Sequence, residues 1–271
     1  MKIFKNKNNL IKEISKEKGL GFVPTMGALH KGHISLINKA KKESEKVLVS
    51  IYINPKQFNS RSDFKKYPRN LVKDISLLKK KKINYLYIPN NKDIYSFRTV
   101  TPIYLDKFSK KLCGIFRPGH FKSVVSIINR FLGIIKPQAV YLGMKDFQQL
   151  ALIKLHIIRN KIKTKVVACS TIRENNGLAL SSRNNKLNKN QILRGGKIYN
   201  YLKNNKKKIL GKILNNQKAE IVKKLIQLGA NKVDYIECIN LKKLNYCKNI
   251  KTNFNIFVAY YINEVRLIDN L

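Results

Sequence analysis

A chain of 271 residues, 44% of them hydrophobic, is long enough to bury one large core or two moderate ones, and that apolar content excludes a disordered segment. Its 56 Lys and Arg against 15 Asp and Glu give a formal charge of +41, a balance that first suggests nucleic acid or an anionic membrane surface. The excess, however, is Lys spread along the whole length among abundant Asn and Ile, residues that share A- and T-rich codons, whereas a base-reading patch is local and rich in Arg; no nucleic-acid partner is expected, and the charge favours small anionic substrates by steering.

The first twenty residues alternate Lys and Asn with isolated apolar positions and hold no apolar block of the secretory kind. Residues 21–25 then read as a short buried strand, and a helix follows over residues 32–44, with Ile34, Ile37 and Ala40 at helical spacing. The β-branched run 47–53 is a second strand, ended by Pro55. Residues 71–80 are amphipathic, with Leu71, Ile75 and Leu78 on one face, and a strand at 85–88 stops at Pro89. The strongly apolar helix 122–135 ends near Pro137; Asn129 and Arg130 interrupt it, and it is too short to span a bilayer. A cytoplasmic protein without a membrane partner is expected. A strand at 139–142, a helix at 146–159 and a strand at 165–169 complete an α/β pattern that predicts a doubly wound, parallel, Rossmann-like sheet.

After about Thr171 the pattern changes. Asn188 with Gln191 three residues on forms a capping box for a helix through Leu202. A second helix covers residues 218–228 and stops at Gly229, and strands follow at 233–239, 255–261 and 265–268. The expected organisation is a first domain over residues 1–172 and a smaller α+β C-terminal domain over residues 173–271, hinged near residues 170–177. The Lys runs 79–82 and 206–208 read as solvated helix faces or turns. Cys113, Cys169, Cys238 and Cys247 form no Cys-x-x-Cys pair and read as reduced, buried thiols rather than a zinc site or a disulfide framework.

The strongest local signal is Pro24-Thr25-Met26-Gly27-Ala28-Leu29-His30-Lys31-Gly32-His33, set between a buried strand and an amphipathic helix. Open α/β sheets bind ligands beyond the carboxyl ends of their strands, and free amides at a helix N-terminus favour phosphate. Gly27 and Gly32 allow close backbone approach, and two histidines three residues apart can donate to phosphate oxygens from one side. A pair of surface histidines is the plainer alternative; half a zinc site is another, but no Glu follows the first His and no third ligand is evident.

His30-Lys31-Gly32-His33 resembles the His-x-Gly-His signature of the nucleotidyltransferase superfamily, and the longer string resembles that of pantothenate synthetases. Five further blocks resemble the same family in its order: Asn54-Pro55-Lys56-Gln57-Phe58, Tyr67-Pro68-Arg69, Arg117-Pro118-Gly119-His120-Phe121, Lys145-Asp146-Phe147-Gln148-Gln149-Leu150 and Gly177-Leu178-Ala179-Leu180-Ser181-Ser182-Arg183-Asn184. Arg266-Leu267-Ile268-Asp269-Asn270 resembles its C-terminal end, so the likeness spans the whole chain.

The resemblance implies a ligase that uses ATP to activate pantoate as an acyl-adenylate and then joins it to β-alanine, giving pantothenate, AMP and pyrophosphate. It implies His33, His30 and Lys145 as catalytic residues, and Met26, His30, His33, Gly143, Lys145, Asp146, Ser181, Ser182 and Arg183 around ATP. The Ser-Ser-Arg segment is expected to come from the second domain and close over the phosphates, and Arg117 to join that loop to the closed site. Gln57 and Gln149, with Pro24 and Met26, are assigned to pantoate, and Leu180 and Val125 are apolar neighbours for its methyl groups; Asn54 and Tyr67 are weaker candidates. Asp146 is placed to accept from ribose hydroxyls; capping its helix is the plainer reading, and the two are compatible. Mg²⁺ is expected with the triphosphate, held by phosphates and water without a protein ligand. A homodimer through the first domain, near residues 49–53, is also implied. Where the family has a Glu, a polar residue and a helix Gly, this chain has Cys113, Met144 and Ser123; none is a group assigned to phosphate or pantoate, so activity is expected to be retained.

Overall fold

The computed structural model describes residues 1–249 and 253–271. Short β-branched and aromatic runs form the strands β1 (Lys2–Phe4), β2 (Leu20–Thr25), β3 (Lys46–Ile51), β4 (Tyr85–Tyr87), β5 (Ala139–Gly143) and β6 (Lys165–Cys169). All pair in parallel, in the order β1-β4-β3-β2-β5-β6. β2, β3 and β4 are buried along nearly their whole length, which is why they read as continuous apolar runs and not as alternating ones. The helices α1 (Lys7–Ile14), α2 (Lys31–Glu43), α3 (Leu71–Lys80), α4 (His120–Ile135) and α5 (Phe147–Arg159) connect them. Adjacent residues of β2 serve opposite faces: Val23 joins a core with Ile37, Val49 and Leu86, while Phe22 meets Phe131 of α4 edge-on at 5.4 Å.

The chain steps from β2 to β3 on one side of the sheet and later places β5 on the other side of β2. The strand order therefore reverses between β2 and β5. The loops leaving the carboxyl ends of those two strands flank the crevice in which a doubly wound sheet binds its ligand. The first leads to His30 at the N-cap of α2 and His33 in its first turn, and the second contains Lys145 and Asp146.

Some boundaries differ from the sequence reading. The strand expected over 47–53 ends at Ile51, because Asn54 opens a short 3-10 turn, Pro55–Gln57. α4 begins two residues early, after Gly119 in the left-handed region (φ 77°), and stops where Lys136 turns left-handed ahead of Pro137. β1 and α1 lie within the stretch read as Lys and Asn alternation. β1 is an edge strand paired with β4 and largely exposed, and α1 buries Leu10 and Ile14, so neither carries a strong periodic signal.

The chain divides into two compact units: Met1–Ser109 with Arg117–Ser170, and Lys110–Phe116 with Thr171–Leu271. The segment Lys110–Phe116 belongs with the second, where Cys113 meets Tyr235 and Arg266 and Lys111 donates to the Leu244 carbonyl. That unit contains α6 (Lys189–Asn204), α7 (Lys206–Leu214) and α8 (Lys218–Gln227). Its antiparallel sheet has the order β10-β9-β7-β8, from β7 (Lys232–Asn240), β8 (Asn245–Tyr246), β9 (Phe254–Ile262) and β10 (Val265–Asn270). Both bonds of the capping box form, Gln191 N–H to Asn188 Oδ1 at 3.0 Å and Asn188 N–H to Gln191 Oε1 at 2.8 Å. Gly229 (φ 109°) follows α8. The Lys run 206–208 opens α7, whose buried face is Ile209, Leu210 and Ile213.

Candidate active site

The turn between β2 and α2 is held from three directions. Gly27 (φ 76°) and Ala28 (φ 49°) both take the left-handed conformation, which costs little for Gly and strains Ala. Their cost is offset by Asp74 of α3, a buried carboxylate that accepts from the Ala28 and Leu29 amides, each at 2.8 Å. Thr25 Oγ1 donates to the Ser50 carbonyl at 2.7 Å and accepts from the Gly27 amide at 3.2 Å. Gly27 also admits the close approach: a Cβ there would lie 3.1 Å from Asp74 Oδ2 and 3.2 Å from Ile51 Cγ2.

The turn delivers His30 to the N-cap of α2, where two reciprocal bonds form. His30 Nδ1 accepts from the Gly32 amide at 3.1 Å, and His33 Nδ1 accepts from the His30 amide at 3.3 Å. The ring centroids are 4.1 Å apart. A neutral imidazole that accepts at Nδ1 carries its proton at Nε2, so each ring is a fixed Nε2–H donor. Both rings are kept neutral. Burial pushes His30 down to about 4, helped by the Lys145 ammonium and opposed by Asp146. Burial pushes His33 down to about 3, with His30 and Lys145 adding to the effect. The Lys145 ammonium thus favours the neutral form of both rings.

Lys145 and Asp146 lie in the short 3-10 turn Met144–Asp146 that follows Gly143 at the end of β5. The Asp146 side chain is exposed and makes no capping bond to α5, so the helix-cap alternative is not the one the structure adopts. The two glutamines beyond it separate. Gln148 is buried and donates Nε2 to the Phe108 carbonyl at 2.7 Å, while Gln149 is half-buried in the first turn of α5. Pro24 and Met26 are half-buried on either side of Thr25. Val125 is fully buried.

Gln57 closes the turn Pro55–Gln57, which Asn54 caps by accepting from the Lys56 amide at 3.2 Å. Tyr95 donates its hydroxyl to Asn54 Oδ1 at 2.9 Å, and Asn54 Nδ2 is buried without a hydrogen-bond partner. Tyr67 is buried and meets Phe58 edge-on at 5.4 Å. Arg117, expected beside the phosphate loop, donates Nη2 to the Gln57 carbonyl at 3.1 Å. His120 Nδ1 meets the same oxygen at 2.9 Å, and its Nε2 lies 3.0 Å from Arg117 Nη1.

In the second unit, Ser181 Oγ accepts from the Arg183 amide at 3.2 Å and opens the turn Ser182–Lys186; Ser182 is buried and Arg183 half-buried. A narrow hairpin presents this segment: Arg173 bridges Ala179, and the Glu174 amide donates to the Leu178 carbonyl at 2.8 Å. Gly177 (φ 96°) turns the hairpin against Tyr199, where a Cβ would lie 2.1 Å from the ring. The Arg173 guanidinium is clasped by the Asp269 carboxylate, with Nη2 to Oδ1 at 2.9 Å. Cys113, the departure from the family's Glu, lies 3.1 Å from the Tyr235 hydroxyl and 3.7 Å from both terminal nitrogens of Arg266. Arg266 takes its carboxylate partner from buried Asp234 instead, with Nε to Oδ2 at 2.8 Å.

The first unit thus gathers His30, His33, Lys145, Asp146 and Gly143 at the β2–β5 crevice, with Pro24 near the end of β2 and Met26 on the turn that follows it. Sequence reading missed Asp74 altogether. Asp74 shares helical spacing with Leu71 and Leu78, and a carboxylate on that apolar side was the one local signal, but nothing local reports that it meets a turn over forty residues away. Of the segment 49–53 expected near a dimer contact, Val49, Ser50, Ile51 and Tyr52 are buried and Ile53 is half-buried.

A sequence model described as pantoate–beta-alanine ligase matches residues 2–271. A pantothenate synthetase of Clostridium botulinum is 40% identical over 253 residues, 93% of this chain and 90% of the relative. One from Pseudothermotoga lettingae is 38% identical over 267 residues, covering 96% and 94%. Among solved structures, a pantoate–beta-alanine ligase (pantothenate synthetase) of Thermus thermophilus superposes with a TM-score of 0.90 at 30% identity, over 100% of this chain and 99% of that one. A pantoate–beta-alanine ligase of Francisella tularensis, complexed with beta-gamma ATP and beta-alanine, gives a TM-score of 0.83 at 39% identity, over 100% and 97%. With the matching model running essentially end to end, the chain belongs to the pantoate–beta-alanine ligase family.

Proposed function

We propose that the chain is an ATP-dependent ligase that condenses pantoate with β-alanine through a pantoyl-adenylate, releasing AMP and pyrophosphate. The observation that carries this reading is the pair of neutral imidazoles with Nε2–H donors, held beside Lys145 where the strand order reverses. In the first step a pantoate carboxylate oxygen attacks the α-phosphorus and the bond to the pyrophosphate oxygen breaks. Negative charge builds on the phosphoryl oxygens as two anions meet. Preorganised N–H donors and an ammonium are the groups that lower such a barrier. Neutral rings suit the task, since each presents an Nε2–H donor whose orientation the bond at Nδ1 fixes. Ser181, Ser182 and Arg183 are assigned to the triphosphate on the resemblance and on their donor chemistry, and Met26 and Gly143 on their place in the segments that carry His30, His33 and Lys145. Asp146 is assigned to the ribose: its exposed carboxylate is not consumed by a helix cap.

Gln57 and Gln149 are assigned to pantoate, whose hydroxyls and carboxylate an amide can bind without adding charge. Pro24 and Met26 supply apolar contact. In the second step the β-alanine amine attacks the acyl carbonyl and AMP departs with the electrons of the broken acyl–phosphate bond. Positioning supplies most of the acceleration there. Mg²⁺ fits as a cation brought by the nucleotide. Both histidine Nδ1 atoms are taken by backbone amides and both Nε2 atoms are protonated, so neither ring has a lone pair for a metal. When bound, the ion neutralises phosphate charge. On the resemblance we also propose a homodimeric, cytoplasmic enzyme; among the described residues no helix is long and apolar enough to cross a membrane.

The test is a product assay on the purified chain with ATP, pantoate and β-alanine. The expected products are AMP and pantothenate in equal amounts. A stable nucleotide conjugate, or ATP consumption indifferent to pantoate, would sink the proposal.

A further inference from the structure

We infer that Arg117 and His120 act together as positioning residues for the acid-binding loop, fixing the backbone at Gln57 and through it the reach of the Gln57 carboxamide; this rests on the assignment of Gln57 to pantoate. Two donors converge on one carbonyl oxygen, Arg117 Nη2 at 3.1 Å and His120 Nδ1 at 2.9 Å. The contact between them settles the ring's proton. A guanidinium nitrogen only donates, so His120 Nε2, 3.0 Å from Arg117 Nη1, accepts, and the proton sits on Nδ1, facing the Gln57 oxygen. This is the opposite tautomer to that of His30 and His33. The same segment grips the loop a second time, since Asn59 donates Nδ2 to the Pro118 carbonyl at 2.7 Å.

The loop is anchored from its other end as well. Tyr95 holds Asn54 Oδ1, and the Lys56 ammonium lies 4.1 Å from the centre of the Tyr95 ring. A three-residue 3-10 turn has little cohesion of its own, so its orientation is set by these outside contacts. Loss of the clamp leaves the loop attached at Asn54 but frees Gln57 to rotate. The consequence falls on the acid and spares the nucleotide, whose assigned groups lie on other loops.

The experiment compares H120A, H120N and H120Q with the parent chain, measuring KM for pantoate and for ATP, kcat and thermal midpoint. Asparagine places an amide N–H where the imidazole Nδ1–H was, and glutamine does not. The expected result is a rise of about tenfold in the pantoate KM for H120A and H120Q, with ATP KM within about twofold. H120N should return the pantoate KM to within about threefold of the parent. Equal effects on both substrates, no rise in H120A, or an H120N no better than H120Q would each overturn the inference. Ring-nitrogen NMR of the parent judges the clamp without any substrate: an Nδ1–H tautomer at His120 supports it and an Nε2–H tautomer overturns it. A parent that makes no pantothenate but shows the Nδ1–H ring would therefore refute the functional reading and not the clamp.

Discussion

The chemistry assigned to this chain depends on which nitrogen of two imidazoles carries the proton, and backbone geometry decides it. Because Nδ1 of His30 and of His33 each accepts from an amide of the same turn, the donors available to a ligand are the Nε2–H groups. Replacing His33 by Ala removes one donor without emptying a core, and should lower the rate of adenylate formation about 10²–10³-fold, the usual cost of one such contact; an unchanged rate would refute its role. The depressed pKa values, about 4 for His30 and about 3 for His33, also set a pH dependence. In the unfolded chain both rings take up protons near the ordinary value of about 6.5, while in the folded chain they stay neutral until much lower pH. Their contribution to stability is complete above that ordinary value and is lost as pH falls toward 4 and then 3. Denaturant unfolding at pH 7 and pH 5 should show H33Q losing less stability on acidification than the parent. At this scale the sequence was informative wherever chemistry sits in one contiguous string, as at residues 24–33. It was silent about what Asp74 meets, and it could not show that Arg117 and His120 meet the Gln57 carbonyl 60 and 63 residues away.

The elements are what turn a strained turn into a rigid one. β2 and α2 supply the ends of the loop, but α3 supplies its clamp, a single carboxylate bonded to two consecutive amides. D74N keeps the shape, removes the charge and turns an N–H toward a backbone N–H. It should cost about 1.5–3 kcal/mol in denaturant unfolding, as for a lost hydrogen bond to a charged group, and should lower kcat/KM by misplacing His30 and His33. Parent-like stability together with parent-like kcat/KM would show that the turn stands without its clamp. Element identity was readable where a period was strong: α3 matches the predicted limits, and α2, α5 and β6 agree to within a residue or so at each end. It was unreadable where stability comes from outside the element. β1 is three residues laid against the sheet edge at β4, and the turn Pro55–Gln57 owes its place to Tyr95, Arg117 and His120. α7 is masked by its opening lysines, although its buried Ile209, Leu210 and Ile213 keep helical spacing.

For the whole molecule, the alternation of strand and helix through the first unit was enough to predict a parallel doubly wound sheet, and the change after Thr171 was enough to predict a separate α+β unit. What local pattern could not supply is pairing between strands distant in sequence, such as β1 with β4, or the return of the segment Lys110–Phe116 to the second unit. The charge of +41 gives the fold few acids to spend, and several are committed to fixed pairs: Glu17 with Lys46, Asp269 with Arg173, Asp234 with Arg266 and Glu237 with Lys218. Cys113, where the resemblance leads one to expect a Glu, lies against Arg266, whose carboxylate partner is Asp234. The most direct measurement is exchange of labelled pyrophosphate into ATP by the purified chain, with pantoate supplied and β-alanine withheld. Exchange that requires pantoate, and that falls steeply in H33A, is the expected result. Exchange that proceeds without pantoate, or none in its presence, would contradict an acyl-adenylate formed at the paired imidazoles.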